Sequence, residues 1–188
     1  NDRKDLSDFL KSNDCIITWL GNGTNILVRD AGVRGAVIST RKSLNKIELI
    51  DQSNYLVEVG VSCFELAMYA TKNNFGPAAF FSGIPGSIGG ALTMNAGCFG
   101  NETWEFVKSV EVMDRKGEIH QLDPKEFSIS YRSVGFPFPL WFLSCVMAFP
   151  EEGFTTIEEL KSMRDSRLER QPLTENTCGS VFKNPDGN

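Results

Sequence analysis

Ser82-Gly83-Ile84-Pro85-Gly86-Ser87-Ile88-Gly89-Gly90-Ala91 is the stretch on which the reading of this chain turns. Six glycines fall between Gly83 and Gly100, interleaved with Ser87, Ala91 and Ala96. An ordinary core would lose packing and chain entropy at that density, so close approach of a backbone or a ligand is the simplest compensation. A second glycine-rich run precedes it at Gly21-Asn22-Gly23-Thr24-Asn25. Such loops turn backbone N–H groups toward an anion and leave room where a Cβ would stand, so the pair predicts a cradle for a large phosphorylated cofactor. The first loop lacks the third glycine of the Gly-x-Gly-x-x-Gly fingerprint, and Ile26-Leu27-Val28 after it favours a strand over a helix. A Rossmann site is therefore rejected in favour of a nest of N–H groups between strands.

Of the 188 residues, 41% are hydrophobic and 23% charged, the balance of a folded globular chain. A net charge of −5 argues against a general nucleic-acid binder, which needs an excess of Lys and Arg. No run reaches the roughly 18 to 20 apolar residues that span a bilayer. Asn1-Asp2-Arg3-Lys4-Asp5 is too polar for a signal peptide, so a cytoplasmic location with no membrane partner is expected. Cys15, Cys63, Cys98, Cys145 and Cys178 are widely spaced with no Cys-x-x-Cys pair, and are expected to be reduced thiols without a metal. Cys178 has no neighbouring base and receives no role. His120 is the single histidine, which excludes sites needing two, and reads as a hairpin surface residue.

Leu6, Phe9 and Leu10 mark a helical stripe, and Cys15 to Leu20, Ile26 to Val28 and Ala36 to Ile38 read as strands around the first loop. Tyr55 to Val59 alternates as a strand, and Ser62-x-x-Glu65 is a capping box opening a helix that Asn73-Asn74-Phe75-Gly76 ends. Residues 1–75 are thus expected to form a first lobe and 76–150 a second. In the latter, Val107 to Met113 and Glu118 to Leu122 flank a turn at Asp114-Arg115-Lys116-Gly117, Asp123-Pro124-Lys125-Glu126 starts a helix, and Trp141 to Phe149 is a buried strand. Thr156-x-x-Glu159 caps a charged helix with Leu160, Met163 and Leu168 on one side and Gln171-Pro172 as its stop. That helix opens a third, incomplete unit over 151–188. Arg164, Arg167 and Arg170 on it read as a solvated or ion-paired face, with a phosphate site beside the third unit as the alternative.

Five motifs then resemble, in order, those of the UDP-N-acetylenolpyruvoylglucosamine reductase family: Leu20 to Asp30, Ser82 to Ala91, Met94-Asn95-Ala96-Gly97, Tyr131-Arg132-Ser133, and Gly179-Ser-Val-Phe-Lys-Asn-Pro185. The resemblance implies an α+β fold: a two-lobed FAD-binding domain of the p-cresol methylhydroxylase and vanillyl-alcohol oxidase type, followed by the start of an α+β substrate-binding domain. It also implies FAD held non-covalently, NADPH as hydride donor and UDP-N-acetylglucosamine enolpyruvate as substrate, reduced to UDP-N-acetylmuramate in peptidoglycan precursor synthesis.

By that resemblance Gly21, Asn22, Gly23, Thr24 and Asn25 wrap the pyrophosphate. Ser82, Gly83, Ile84, Pro85, Gly86, Ser87, Gly89, Gly90, Asn95, Ala96 and Gly97 line the flavin and the rest of the dinucleotide. Arg132 matches the family's catalytic arginine and Ser180 its proton donor, while Tyr131, Lys183 and Asn184 are expected at the substrate. The chemistry suits these types, because a hydride added to an enolpyruvyl group spreads negative charge toward its carboxylate, which a forked guanidinium grips, and a hydroxyl protonates the neighbouring carbon. An FAD oxidase of the same fold, or a non-catalytic flavin-binding fragment, is the alternative. Many oxidases of this fold attach flavin to a histidine near the first loop, and none stands there.

Overall fold

The computed structural model describes residues 2–150, 155–170 and 177–179. Asp2 opens α1 (Arg3–Ser12), its carboxylate accepting from the N–H groups of Lys4 and Asp5. β1 (Ile17–Leu20) and β2 (Ala36–Ser39) then pair in parallel, with residues 21–35 as the connection. The expected strand at Ile26–Val28 does not form: these residues are exposed, Leu27 to 81%, and among the described residues β1 and β2 pair only with each other. Its β-favouring side chains find no partner strand, and an unpaired strand has no ladder to stabilise it.

β3 (Ile47–Leu49) and β4 (Asn54–Glu58) form a hairpin, and α2 (Cys63–Lys72) starts at the expected box, with Ser62 and Glu65 capping each other's backbone N–H. A 3-10 run over Gly76–Gly83 leads to α3 (Ile88–Met94), a helix that the glycines concealed from propensity. Two short antiparallel strands, β5 (Gly97–Cys98) and β6 (Asn101–Glu102), precede β7 (Val107–Asp114) and β8 (Ile119–Leu122). The Asp123 segment makes a single 3-10 turn, Pro124–Glu126. β9 (Ser128–Ser130) and β10 (Ser133–Gly135) follow as a small hairpin, then β11 (Leu140–Ala148) and α4 (Ile157–Arg170), whose Thr156–Glu159 capping box is present. Gln171-Pro172 lies outside the described residues.

One antiparallel sheet, in the order β3-β4-β11-β7-β8, carries the fold. β4 and β11 pair directly across the expected boundary at residue 75. A bulge between Phe142 and Ser144 lets Leu140 and Phe142, then Cys145 and Met147, share the main core with Tyr55, Val57, Leu66 and Phe81. Leu143 instead joins Met113 and Leu10 in a second cluster under α1. Burial pushes the Cys63 and Cys145 thiols up, so both behave as packed apolar groups.

The β7–β8 turn is as expected, and His120 is tied into it, its ring 3.0 Å from Asp114. Burial works to raise the Asp114 carboxyl and is outweighed by the N–H groups of Glu118 and Lys116 and by His120, leaving it below the usual carboxylate range. A depressed carboxyl stabilises above its unfolded pKa and loses that contribution as pH falls through the folded value. Asp114→Ala is expected to cost about 1–2 kcal/mol at neutral pH, with the gap to the parent narrowing below about pH 4. Urea midpoints at both pH values measure it, and a gap that widened in acid would contradict the sign.

Candidate functional site

The two glycine loops, sixty residues apart in the chain, meet. The Thr24 hydroxyl donates to the Pro85 carbonyl, and a Cβ on Gly21 would stand 2.5 Å from Ser87 Oγ. Ser87 is the buried N-cap of α3, its Oγ accepting from the Gly90 N–H at 3.4 Å. Behind it the Gly89 N–H donates to the Val59 carbonyl at 2.9 Å, and a Cβ at Gly89 would lie 3.0 Å from that of Val59. Glycine thus packs α3 onto the core on one side and keeps the loop wall open on the other.

A cavity of about 760 Å3 lies along this clasp. Gly21, Asn22, Gly23, Thr24 and Asn25 line it, as do Ile84, Pro85, Gly86, Ser87, Gly89 and Gly90 from the second loop and Ala96 and Gly97 beyond it. Arg132 reaches the same space. Ser82, Gly83 and Asn95, expected with the cofactor contacts, are not in its walls: all three are buried, and Gly83 is backed by Cys98 and Phe99. Tyr131 is half-exposed and also outside the lining. Ser180, Lys183 and Asn184 lie outside the described residues, whereas Gly179, beside Ser180 in sequence, lines the cavity against the Thr24 carbonyl and Asn25.

Several wall residues escaped the sequence reading. Trp19 of β1 and Trp141 of β11 stack with centroids 6.2 Å apart, giving an aromatic surface that only the tertiary fold assembles. The Thr40 hydroxyl at the end of β2 is buried in the lining with no partner among the described residues, which marks a place for a ligand's polar atom. Arg167 is not on an open solvated face: it lines the cavity and its guanidinium meets Cys98 Sγ. Arg164 lies 5.2 Å over the Phe64 ring, and the Arg170 side chain is outside the described residues. Open glycine walls, stacked rings, an orphaned hydroxyl and two guanidinium groups together fit a large cofactor with both rings and phosphates.

Arg132 occupies the two-residue turn between Ser130 and Ser133, which face each other across β9 and β10. Its φ is +52°, a left-handed conformation that glycine adopts more readily. Asn95, also left-handed at φ +41°, closes α3. Its amide donates to Glu102 Oε2 at 2.7 Å and to the Ser130 carbonyl at 3.3 Å, and accepts from the Trp104 N–H at 3.2 Å.

Residues 1–123 match the family described as FAD binding domain. The UDP-N-acetylenolpyruvoylglucosamine reductase of Legionella pneumophila (strain Paris) is 42% identical over 172 residues, covering 91% of this chain and 57% of the relative. That of Alkalilimnicola ehrlichii is 40% identical over 186 residues, covering 97% and 62%. The chain therefore spans less than two thirds of the length of these curated relatives. The crystal structure of the corresponding reductase from Thermus caldophilus superposes with a TM-score of 0.71 at 24% identity, covering 100% of this chain and 67% of that one. Berberine bridge enzyme from Eschscholzia californica gives 0.56 at 13% identity, covering 80% and 33%.

Proposed function

This chain belongs to the FAD-binding domain family, and from that premise we propose that it carries the flavin site and catalytic arginine of an NADPH-driven reductase converting UDP-N-acetylglucosamine enolpyruvate to UDP-N-acetylmuramate. Its α+β architecture is that of the vanillyl-alcohol oxidase type. The observation that carries the reading is Arg132, kept at a strained turn and facing the same cavity as the two clasped glycine loops. The relatives' names and the five ordered motifs support the choice of reductase over oxidase.

FAD, when bound, would supply the hydride chemistry that links NADPH to the enolpyruvyl double bond. The N–H groups of residues 21–25 would hold the pyrophosphate, Ile84, Pro85, Gly86 and Ser87 would line the rest of the dinucleotide, and the Thr40 hydroxyl would give a further hydrogen bond to the cofactor. Arg132 grips the substrate carboxylate through paired hydrogen bonds and stabilises the charge that develops there. Ser180 Oγ delivers a proton to the adjacent carbon, while Tyr131, Lys183 and Asn184 contact the nucleotide sugar. The site works in the cytoplasm, where both NADPH and the nucleotide sugar are at hand, and residues 151–188 begin the substrate-binding unit.

The test is anaerobic product formation by the full-length protein with NADPH. Stoichiometric NADPH oxidation and UDP-N-acetylmuramate are expected, whereas NADPH oxidation only in the presence of oxygen would favour an oxidase. Ser180→Ala is expected to retain bound FAD and to slow single-turnover product formation by about 10²-fold or more. An unchanged single-turnover rate would remove Ser180 from the mechanism.

A further inference from the structure

We propose that Asn95 is a positioning residue for Arg132, its buried amide tethering the arginine hairpin to the glycine-loop wall, with the Trp104 N–H and Glu102 setting the amide's orientation. The inference rests on the role given to Arg132 above. β9 and β10 have three residues each and, among the described residues, pair only with one another, too small a hairpin to hold its own shape in water. The turn they carry also places a non-glycine residue in the left-handed region. Something outside the hairpin must therefore fix it. Val134 packs against the main core from β10, but all three residues of β9 are exposed.

On the β9 side Asn95 Nδ2 supplies a hydrogen bond, reaching the carbonyl of Ser130 at 3.3 Å. Ser130 directly precedes Tyr131-Arg132, so where that carbonyl sits decides where the turn begins. The amide cannot flip. The Trp104 N–H can only donate, so Oδ1 faces it at 3.2 Å, and Nδ2 then faces the acceptor oxygen of Glu102 at 2.7 Å. Asn95 is 2% exposed, and its bond from the Trp104 N–H is buried while those to Glu102 and Ser130 are partly so. It also closes α3 and precedes Ala96 and Gly97 in the cavity lining. One side chain thus locks the register between the cofactor wall and the guanidinium, and Asn95 acts through Arg132 rather than on the cofactor.

Asn95→Gly tests this because glycine keeps the left-handed backbone, although losing the amide also takes the acceptor from the buried Trp104 N–H. In the full-length, FAD-loaded protein, amide exchange over residues 128–135 is expected to quicken by about tenfold or more, in Asn95→Gly and Glu102→Ala but not in Glu102→Gln, which keeps an acceptor oxygen. Flavin reduction by NADPH should stay within about threefold, while reoxidation by substrate slows by about tenfold or more. In an Arg132→Ala background the Asn95→Gly change should cost nothing further, since the tether then has no guanidinium to place. Unchanged exchange in the hairpin overturns the proposal, and so does an additive loss in the double variant. A loosened hairpin in a protein whose Arg132→Ala form is fully active would support the tether and remove the role of Arg132. If Asn95→Gly fails to fold, Glu102→Ala against Glu102→Gln carries the same comparison.

Discussion

Arg132→Ala is expected to leave FAD reduction by NADPH near its normal rate and to slow reoxidation by the enolpyruvyl substrate by about 10²–10³-fold, the size of effect seen when one preorganised group at developing charge is removed. The asymmetry follows from where the guanidinium acts. In the role proposed for it the guanidinium holds the carboxylate of the second substrate, so the first half-reaction should proceed without it. Lysine should recover only part of the loss, because a point charge lacks the fork that fixes the carboxylate plane. Arg132→Gly separates function from stability. Arginine at φ +52° carries strain of about 1 kcal/mol or more that glycine relieves, so Arg132→Gly should be as inactive as Arg132→Ala yet at least as stable. Stopped-flow flavin absorbance and thermal unfolding of the two variants measure both quantities. Equal slowing of both half-reactions, or a glycine variant clearly less stable than the alanine one, would contradict the placement of Arg132.

Gly21→Ala should release FAD. Its new methyl group would stand 2.5 Å from Ser87 Oγ, inside the clasp between the loops, while Ser87 is buried and occupied in capping α3. Overpacking of this kind costs about 1–3 kcal/mol, and because it falls on the cofactor wall the FAD Kd should rise by about tenfold to a hundredfold. The geometry also dictates a rescue. Ser87→Ala removes the clashing oxygen and leaves Ser87 Cβ at 3.6 Å, an ordinary contact. The double variant should therefore bind FAD more tightly than Gly21→Ala alone, even after losing a cap worth about 1 kcal/mol. Fluorescence titration of the apoprotein decides it; a double variant weaker than Gly21→Ala would show that the loops are not clasped through this contact.

What the sequence revealed followed from local chemistry. The capping boxes at Ser62 and Thr156, the β7–β8 turn and the apolar β11 rest on side chains bonding or packing near their own positions, and all four stand where expected. Ile26–Val28 failed because strand propensity without a neighbouring strand decides nothing. α3 was hidden by the glycines that make it useful. The shared cavity of the two loops matched their composition, but the Trp19–Trp141 stack, the Thr40 hydroxyl and Arg167 come together through long-range packing that no spacing encodes. Asn95 is expected with the cofactor from its motif; its burial and its bonds to Glu102 and Ser130, which link it to the arginine hairpin, come from tertiary packing that the motif does not encode.

The most direct test of the reductase reading is the oxidative half-reaction. The FAD-loaded full-length protein is reduced anaerobically with NADPH, freed of excess nucleotide and mixed with UDP-N-acetylglucosamine enolpyruvate. Return of the oxidised flavin spectrum, with one UDP-N-acetylmuramate formed per flavin, is the predicted result. A flavin that stays reduced until oxygen is admitted would contradict it.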